Sequence, residues 1–120
     1  MPLITLVLPG SIRIKKNSKR IFRRGKYATV LPSMAYLEWE KQARNVAWEN
    51  PVVPPLTCPV EVTALFYYKG HRPDLSGAME SLGDCLEGII WADDTQIESW
   101  DGSRMIHSPD NPRTVVVVRW

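Results

Sequence analysis

The sequence predicts an α+β fold in which two main helices pack on a mixed β-sheet within one small domain. The chain has 120 residues, within the usual range of about 100–150 residues for a single domain. Apolar residues make up 44% and charged residues 23%, close to the averages of about 45–50% and about 25% for globular proteins. Strand-like runs and two segments with helical spacing both occur along the chain. We therefore expect one domain over residues 1–120.

The first half of the chain predicts one strand and one helix, with a basic hairpin or an ordered loop flanked by strands between them. Residues 4–8 are aliphatic and end before a Pro-Gly turn signal, which indicates a strand. Ser33 is the N-cap candidate of a helix with apolar residues at helical spacing. Because a helix in a small domain must bury one face, we expect its aromatic residues to make core or dimer contacts. These residues are Tyr36, Trp39 and Trp48.

The second half predicts a stiff connection, a strand, a helix and two further strands. Four prolines in residues 50–59 are incompatible with a continuing helix, and residues 60–68 alternate as a half-buried strand does. A helix is predicted over about 75–87, closed by Gly88. Gly77 and Gly83 each weaken it by roughly 1 kcal/mol relative to Ala, which suggests close packing there. Strands are predicted at 96–100 and 114–120.

The formal net charge of +2 conceals two opposed halves. Residues 1–50 carry ten Lys/Arg and three Asp/Glu, a balance of +7, while residues 51–120 carry five and ten, a balance of −5. The basic segment, residues 11–27, has no acid at all. A solvated loop would explain it, but clustered Lys and Arg also displace counterions from nucleic acids, and we favour a phosphate-contacting arm. Its basic residues are Arg13, Lys15, Lys16, Lys19, Arg20, Arg23, Arg24 and Lys26.

The sequence also indicates where the protein is found. Its longest apolar stretches are far shorter than the ~20 residues of a membrane-spanning helix, and its start lacks the pattern of a secretory signal. We therefore expect a cytoplasmic protein with no membrane partner. Cys58 and Cys85 are too few for a disulfide scaffold, so we expect both to be reduced and partly buried. The spacing of these cysteines with the two histidines matches no standard zinc site.

Three aspartates are candidates for metal ligands. Asp74 stands at the start of the second predicted helix, and Asp93 and Asp94 follow it by 19 and 20 residues. Carboxylate oxygens are the hard ligands that Mg²⁺ prefers, and a nuclease uses such an ion to activate water. Alternatively, Asp74 caps the helix while the Asp-Asp pair forms a turn. Spacing alone leaves both interpretations open.

Two motifs resemble the RusA family of Holliday-junction resolvases. Residues 72–77 read RPDLSG, similar to the family's PDLDN, and residues 84–97 read DCLEGIIWADDTQI, similar to DAL-x-G followed by DD-x-QI. Lys16-Asn17-Ser18 and Pro32-Ser33-x-x-Tyr36 also look like the family's amino-terminal half. The similarity therefore covers most of the chain, and the two acidic motifs are specific as a pair.

The resemblance implies a RusA-like homodimer that cuts four-way DNA junctions symmetrically with Mg²⁺, or with Mn²⁺ in its place, in recombination and repair. By that match Asp74, Asp93 and Asp94 are the catalytic and metal-binding residues. Adjacent residues of a regular strand face opposite ways. We therefore expect Asp94 to bind directly and Asp93 to be a second or outer ligand.

Three residues depart from the family pattern. Ser76 stands where the family commonly has its second aspartate, Gly77 where it has asparagine, and Glu80 where it often has lysine. One hypothesis is an active enzyme in which Glu80 or Asp84 supplies the missing acid. The alternative is a weakened or inactive junction-binding protein, and an interaction module for an acidic partner is a third possibility.

The DNA-binding candidates extend beyond the basic segment. Arg104 follows the Asp101-Gly102 turn signal and is a candidate for contacting the phosphate that is cut, with an ion pair to Asp101 as the alternative. Arg72, in the first acidic motif, is a further candidate. From the basic segment the candidates are Lys15, Lys16, Lys19, Arg20, Arg23, Arg24 and Lys26.

Overall fold

The computed structural model describes residues 1–15, 19–24 and 27–120, with side chains for 1–15 and 33–120. It contains seven strands and two helices within these residues. The strands are β1 (Leu3–Pro9), β2 (Lys19–Arg24), β3 (Tyr27–Pro32), β4 (Val60–Tyr68), β5 (Ile97–Ser99), β6 (Arg104–His107) and β7 (Arg113–Arg119). The helices are α1 (Met34–Glu49) and α2 (Leu75–Cys85), and a short 3₁₀ turn spans Asp94–Gln96. The predicted α+β class is confirmed.

Five strands form one mixed sheet. β7 lies between β1 and β4 and is antiparallel to both. The other edge of β4 pairs in parallel with two short strands, β5 beside its start and β6 beside its end. β2 and β3 form a separate antiparallel hairpin, so the basic segment includes one strand of this hairpin.

Both helices lie on one face of the sheet, and the hydrophobic core lies between the helices and the sheet. Alternate residues of β4 are buried there, from Val60 to Phe66, as the alternating sequence predicts. Tyr36 and Trp39 of α1 are also buried, whereas Trp48 is 56% exposed and lies outside the core. The guanidinium of Arg44 in α1 donates a hydrogen bond of 2.8 Å to the last carbonyl of α2, at Cys85. This bond satisfies a helix-end acceptor and joins the two helices.

The start of the basic segment packs against α2. Ile12 and Ile14 are buried, and Ile14 fills the space beside Gly77, where an added Cβ would lie 3.0 Å from its Cγ2 atom. The amide of Lys15 donates a hydrogen bond of 3.0 Å to Ser81 Oγ. The sequence indicated close packing at Gly77, and Ile14 is the residue that requires it.

The structure differs from the predicted elements at three places. α2 ends at Cys85 instead of 87, because the chain turns at Leu86 and Gly88 has a φ of +83°, which favours glycine. β5 covers only Ile97–Ser99. β6 was not predicted, because its four residues, RMIH, lack a clear alternation of apolar and polar side chains.

The structure bears on two further expectations, the lack of a membrane-spanning helix and the state of the two cysteines. No helix in the described part of the chain is long and apolar enough to cross a membrane. Both cysteines are free thiols; Cys85 is buried and Cys58 is half-buried. Burial raises the pKa of the Cys85 thiol to about 12, so this side chain behaves as a core residue.

Candidate active site

Asp74 holds the amino-terminal end of α2. Its Oδ2 atom accepts hydrogen bonds from the amide of Gly77 at 3.2 Å and from the hydroxyl of Ser76 at 2.9 Å. The first of these is the N-cap bond that satisfies a free amide of the first turn. The capping role that the sequence left open is therefore present, and both bonds fall on one oxygen of the carboxylate.

The second acidic motif is fixed by a capped 3₁₀ turn. Asp93 Oδ1 accepts hydrogen bonds from the Thr95 amide at 2.9 Å and the Thr95 hydroxyl at 2.8 Å, while the Asp93 amide donates to Gln96 Oε1 at 2.7 Å. The side-chain amide of Gln96 also donates to the carbonyls of Leu56 and Cys58, at 2.7 and 2.9 Å. Gln96 thus ties the turn to the proline-rich connection.

This turn brings three carboxylates together. One oxygen from each of Glu87, Asp93 and Asp94 lies within 4.8 Å of the other two, and we call these residues the acidic cluster. The Asp94 amide donates a 2.9 Å hydrogen bond to Glu87 Oε1, which holds the Glu87 side chain beside Asp94. The expected obstacle, that neighbouring strand residues face apart, does not apply, because Asp93 and Asp94 start a turn.

The electrostatics of Asp93 and Asp94 differ. Partial desolvation, followed by the negative charges of Glu87 and Asp93, raises the pKa of Asp94. Hydrogen bonds from the backbone and side chain of Thr95 lower the pKa of Asp93. The ionised form of Asp94 is therefore disfavoured, and a bound cation would stabilise it.

The donor set fits a divalent cation. Three carboxylates supply hard oxygen ligands, all three side chains are exposed or half-exposed, and their oxygens are close enough to share one ion. Such ligands suit Mg²⁺ or Mn²⁺ better than a soft metal, because no thiol or imidazole belongs to the cluster.

An open cleft runs from the acidic cluster along α2. It has a volume of about 260 Å³ and lies between α2 and the segment from Asp94 to Trp100. Its floor includes Gly83, where an added Cβ would lie 3.6 Å from Asp94 Cβ and from Ile97 Cδ1. The remaining lining residues are Ser76, Met79, Glu80 and Trp100.

Asp74 and Asp94 adjoin α2 at different turns, Asp74 as the N-cap and Asp94 beside Gly83. Asp94 contacts α2 at Gly83, nine positions beyond Asp74, or about 13 Å along a helix axis at 1.5 Å per residue. Glu80 lines the cleft between them. Asp84 instead forms a 2.8 Å ion pair with Lys15. Of the two possible substitute acids, only Glu80 faces the cleft.

The DNA-binding candidates fall in different places. Lys15 is engaged with Asp84, and Arg72 is exposed just before α2. Arg104 of β6 lies beside Leu65 of β4, so it is on the sheet face opposite the helices and away from the cleft. It forms no ion pair with Asp101. Lys16 and Lys26 lie outside the described residues, as do the side chains of Lys19, Arg20, Arg23 and Arg24.

Fold and site together define a small α+β protein with a candidate divalent-metal centre at one end of an open cleft. The sequence profile of the endodeoxyribonuclease RusA family matches residues 11–119, nearly the whole chain. The chain belongs to this family, and the resemblance found in the two acidic motifs is confirmed. The comparison with curated proteins gave no match.

Sequence reasoning missed three residues of the site. Glu87 was not among the candidate ligands, although it stands only six residues before Asp93. Gln96 belongs to the DD-x-QI motif, yet its hydrogen bonds to the distant connection have no local signal. Trp100 was read as the end of a strand, and its place in the cleft depends on the packing of β5 beside α2.

Proposed function

We propose that the protein is a metal-dependent endodeoxyribonuclease that cuts branched DNA such as four-way junctions. The observation that carries this proposal is the acidic cluster, three close carboxylates beside an open cleft, in a chain of the RusA family. In this reaction water hydrolyses a phosphodiester of the DNA. Such cutting would serve recombination and repair.

Each part of the site has a distinct task in this reaction. Asp94, Asp93 and Glu87 would hold Mg²⁺, with Mn²⁺ as the alternative. When bound, the ion lowers the pKa of water and offsets charge on the phosphate oxygens. The hydrogen bonds of Thr95 and Gln96 keep the carboxylates in position, and the excess positive charge of the basic segment attracts the phosphate backbone.

The second candidate is a protein that binds junctions and cuts them poorly. Two observations favour it: Ser76 brings a hydroxyl where the family commonly has an acid, and it donates to the same oxygen of Asp74 that caps α2. Asp74 is then a structural residue and the acidic cluster must act without it.

Cleavage of a synthetic four-way junction distinguishes the two candidates. We expect Mg²⁺-dependent nicking by the wild type and a loss of at least about 100-fold in Asp94→Asn, because the ion would lose a central ligand. Asp110→Asn is the matched control, because this carboxylate is exposed and is not among the residues that line the cleft. Asp74→Asn shows whether Asp74 takes part in cutting or only caps the helix.

A metal titration gives a readout that does not depend on cutting. We expect Mn²⁺ to raise the melting temperature of the wild type and of Asp110→Asn, but not of Asp94→Asn, because binding to the folded state alone stabilises it. Tight junction binding without nicking in any metal would establish the second candidate. Equal nicking by wild type and Asp94→Asn would contradict the metal-site assignment.

We further propose that the protein is a homodimer that pairs through the open face, the sheet surface opposite the helices. In register across the sheet, this surface carries Val7, Val115 and Leu65 in one row and Thr5 and Val117 in the next. Val7 is 53% exposed and Leu3 at the margin is 55% exposed. The apolar centre of this surface suits a protein partner, and Arg104 lies on the same face at its β6 edge.

A second copy of the chain is the partner that this surface fits. Its margins carry both signs of charge: Glu61 pairs with Arg119 across the strands at one end, and the Arg113 guanidinium lies 3.8 Å from the Tyr67 ring at the other. An apolar centre with acidic and basic margins can complement itself in a two-fold contact. Such a dimer would supply two cutting sites, one for each strand.

A further inference from the structure

The apolar side of the cleft packs on the hydrophobic core, and hydrolysis of a phosphodiester does not by itself require it. Met79, Ile97 and Trp100 form this side, and all three are only partly buried. A metal ion and a phosphate require charged and polar groups, which the acidic cluster already offers at the other end. A partly buried tryptophan at the cleft wall, beside the apolar side chains of Met79 and Ile97, is instead a surface against which a flat aromatic ring can pack.

Polar groups line the rest of the same cleft. Ser76 and Glu80 are exposed on α2 and border the cleft, and Asp94 closes it at the acidic cluster. The volume of about 260 Å³ lies just under the range of about 300–1,000 Å³ for small-molecule pockets. One ring system with a few polar atoms fits such a space, whereas a folded partner does not.

We propose that this cleft binds a single unstacked nucleobase of the DNA, next to the phosphate that is cut. The inference rests on the proposed nuclease function and specifies how that site selects its substrate. Every base has a π-face that can stack on Trp100. A base is extruded most easily where pairing is already interrupted, as at the crossover of a branched DNA, so the cleft would favour branched over continuous duplex.

Glu80 gives the cleft a preference among bases. A carboxylate only accepts hydrogen bonds, and it pairs with exocyclic amino groups such as N4 of cytosine. Adenine, cytosine and guanine carry such a group, whereas the one donor of thymine, its ring N3–H, lies between two carbonyl oxygens that repel a carboxylate. Glu80 therefore selects against thymine in this position. In this assignment it recognises the base and does not replace the acid missing at Ser76.

Photocross-linking tests where the base lies. A four-way junction with 5-iododeoxycytidine at each nucleotide flanking the crossover is irradiated with the full-length protein without metal, and the adducts are mapped by mass spectrometry. We expect one position to cross-link to Trp100, with the adduct lost in Trp100→Ala and kept in Trp100→Phe. Trp48→Ala is the matched control, because Trp48 is 56% exposed on α1 and lies outside the cleft.

Base substitution tests the preference. With each of the four bases at the cross-linked position, we expect thymine to lower the cutting rate about fivefold or more in the wild type, the scale of a lost base-edge contact. In Glu80→Gln the difference should fall below about twofold, because the amide also offers donors to thymine. Met79→Ala, which leaves Trp100 intact, should weaken the cross-link and keep the preference.

The outcomes separate this inference from the proposed function. Adducts that map outside the cleft, or a Glu80→Gln variant as selective as Trp48→Ala, would overturn the base site while cutting by the wild type still supported the nuclease. If the wild type neither binds nor cuts the junction, the proposed function itself fails. Trp100→Phe keeps the test decisive if Trp100→Ala does not fold.

Discussion

At the scale of single residues, the small side chains of α2 set the geometry of the site. Gly77 accommodates Ile14 and so fixes the start of the basic segment, while Gly83 allows Asp94 and Ile97 to approach the helix. The departure from the family pattern at position 77 therefore has a local explanation. A methyl group at this position would require Ile14 to move by a few tenths of an ångström.

The two glycines should respond differently to alanine. In Gly77→Ala the new Cβ would lie 3.0 and 3.1 Å from two atoms of Ile14, and we expect the overpacking to outweigh the gain in helix propensity, with a net loss of about 1 kcal/mol. In Gly83→Ala the nearest atoms lie at 3.6 Å, an ordinary contact, so we expect a gain of up to about 1 kcal/mol.

Urea denaturation of the two variants measures these changes. Each variant serves as the control for the other, because both gain the same helix propensity and differ only in the packing around the new methyl group. A gain in the free energy of unfolding by both variants would show that Ile14 yields easily and does not fix the basic segment.

At the same scale, the sequence predicted part of the site. Asp93 and Asp94 were singled out by spacing and by the motif, and they lie in the acidic cluster. Glu87 was not, because a glutamate on the polar side of a helix end is ordinary, and its meaning depends on the turn that returns Asp94 to it. The spacing and the motif also suggested that Asp74 acts with the later pair; Asp74 caps the start of α2, and its part in metal binding stays a prediction.

At the scale of elements, the candidate site depends on the packing of a short turn against distant chain. The strongly patterned elements, α1 and β4, were predictable because their periodicities report directly on burial. β6 and the 3₁₀ turn were not, because their positions are set by pairing with β4 and by hydrogen bonds from Gln96 to residues about 40 positions earlier. The residue pattern of a short segment does not indicate which distant residues it will pair or hydrogen-bond with.

Gln96→Ala should therefore loosen the acidic cluster as well as the fold. It removes the bond to the Asp93 amide and both bonds to the proline-rich connection, and at about 1 kcal/mol for each net hydrogen bond we expect a loss of about 2–3 kcal/mol. We also expect the affinity for Mn²⁺ to fall about tenfold or more, as for other residues that position metal ligands.

Calorimetry with Mn²⁺ and urea denaturation measure the two effects of Gln96→Ala. Gln42→Ala is the matched control, because Gln42 forms one exposed hydrogen bond to Glu38 within α1. Unchanged metal affinity in a destabilised Gln96→Ala variant would show that Gln96 supports the fold without ordering the cluster.

At the scale of the whole molecule, charge and apolar surface are distributed over different faces. The acidic cluster and the cleft lie beside α2 on the helix-covered side of the sheet, and the open face lies on the other. The balances of +7 and −5 in the two parts of the sequence suggested that phosphate binding and metal binding are separate. The structure places the start of the basic segment against the same helix that lines the cleft, so the two opposed charges meet at α2.

The homodimer proposed for the open face should be broken by one buried charge. In Val117→Asp a carboxylate replaces a half-buried apolar side chain at the centre of that face, and its desolvation in an interface costs several kcal/mol. We expect a dimer for the wild type and a monomer for the variant in sedimentation equilibrium. Val53→Asp is the matched control, because Val53 is 82% exposed in the proline-rich connection and should leave the dimer intact.

The same variant tests why two copies are needed. A plasmid that extrudes a four-way junction becomes linear when opposite strands are cut together and only nicked when one is cut. Because a dimer holds two sites on one junction, we expect mainly linear product from the wild type and from Val53→Asp, and mainly nicked circles from Val117→Asp. The acidic cluster is distant from the substitution, so its affinity for Mn²⁺ should not change. A monomeric wild type, or a dimeric Val117→Asp, would show that the open face is not the dimer contact.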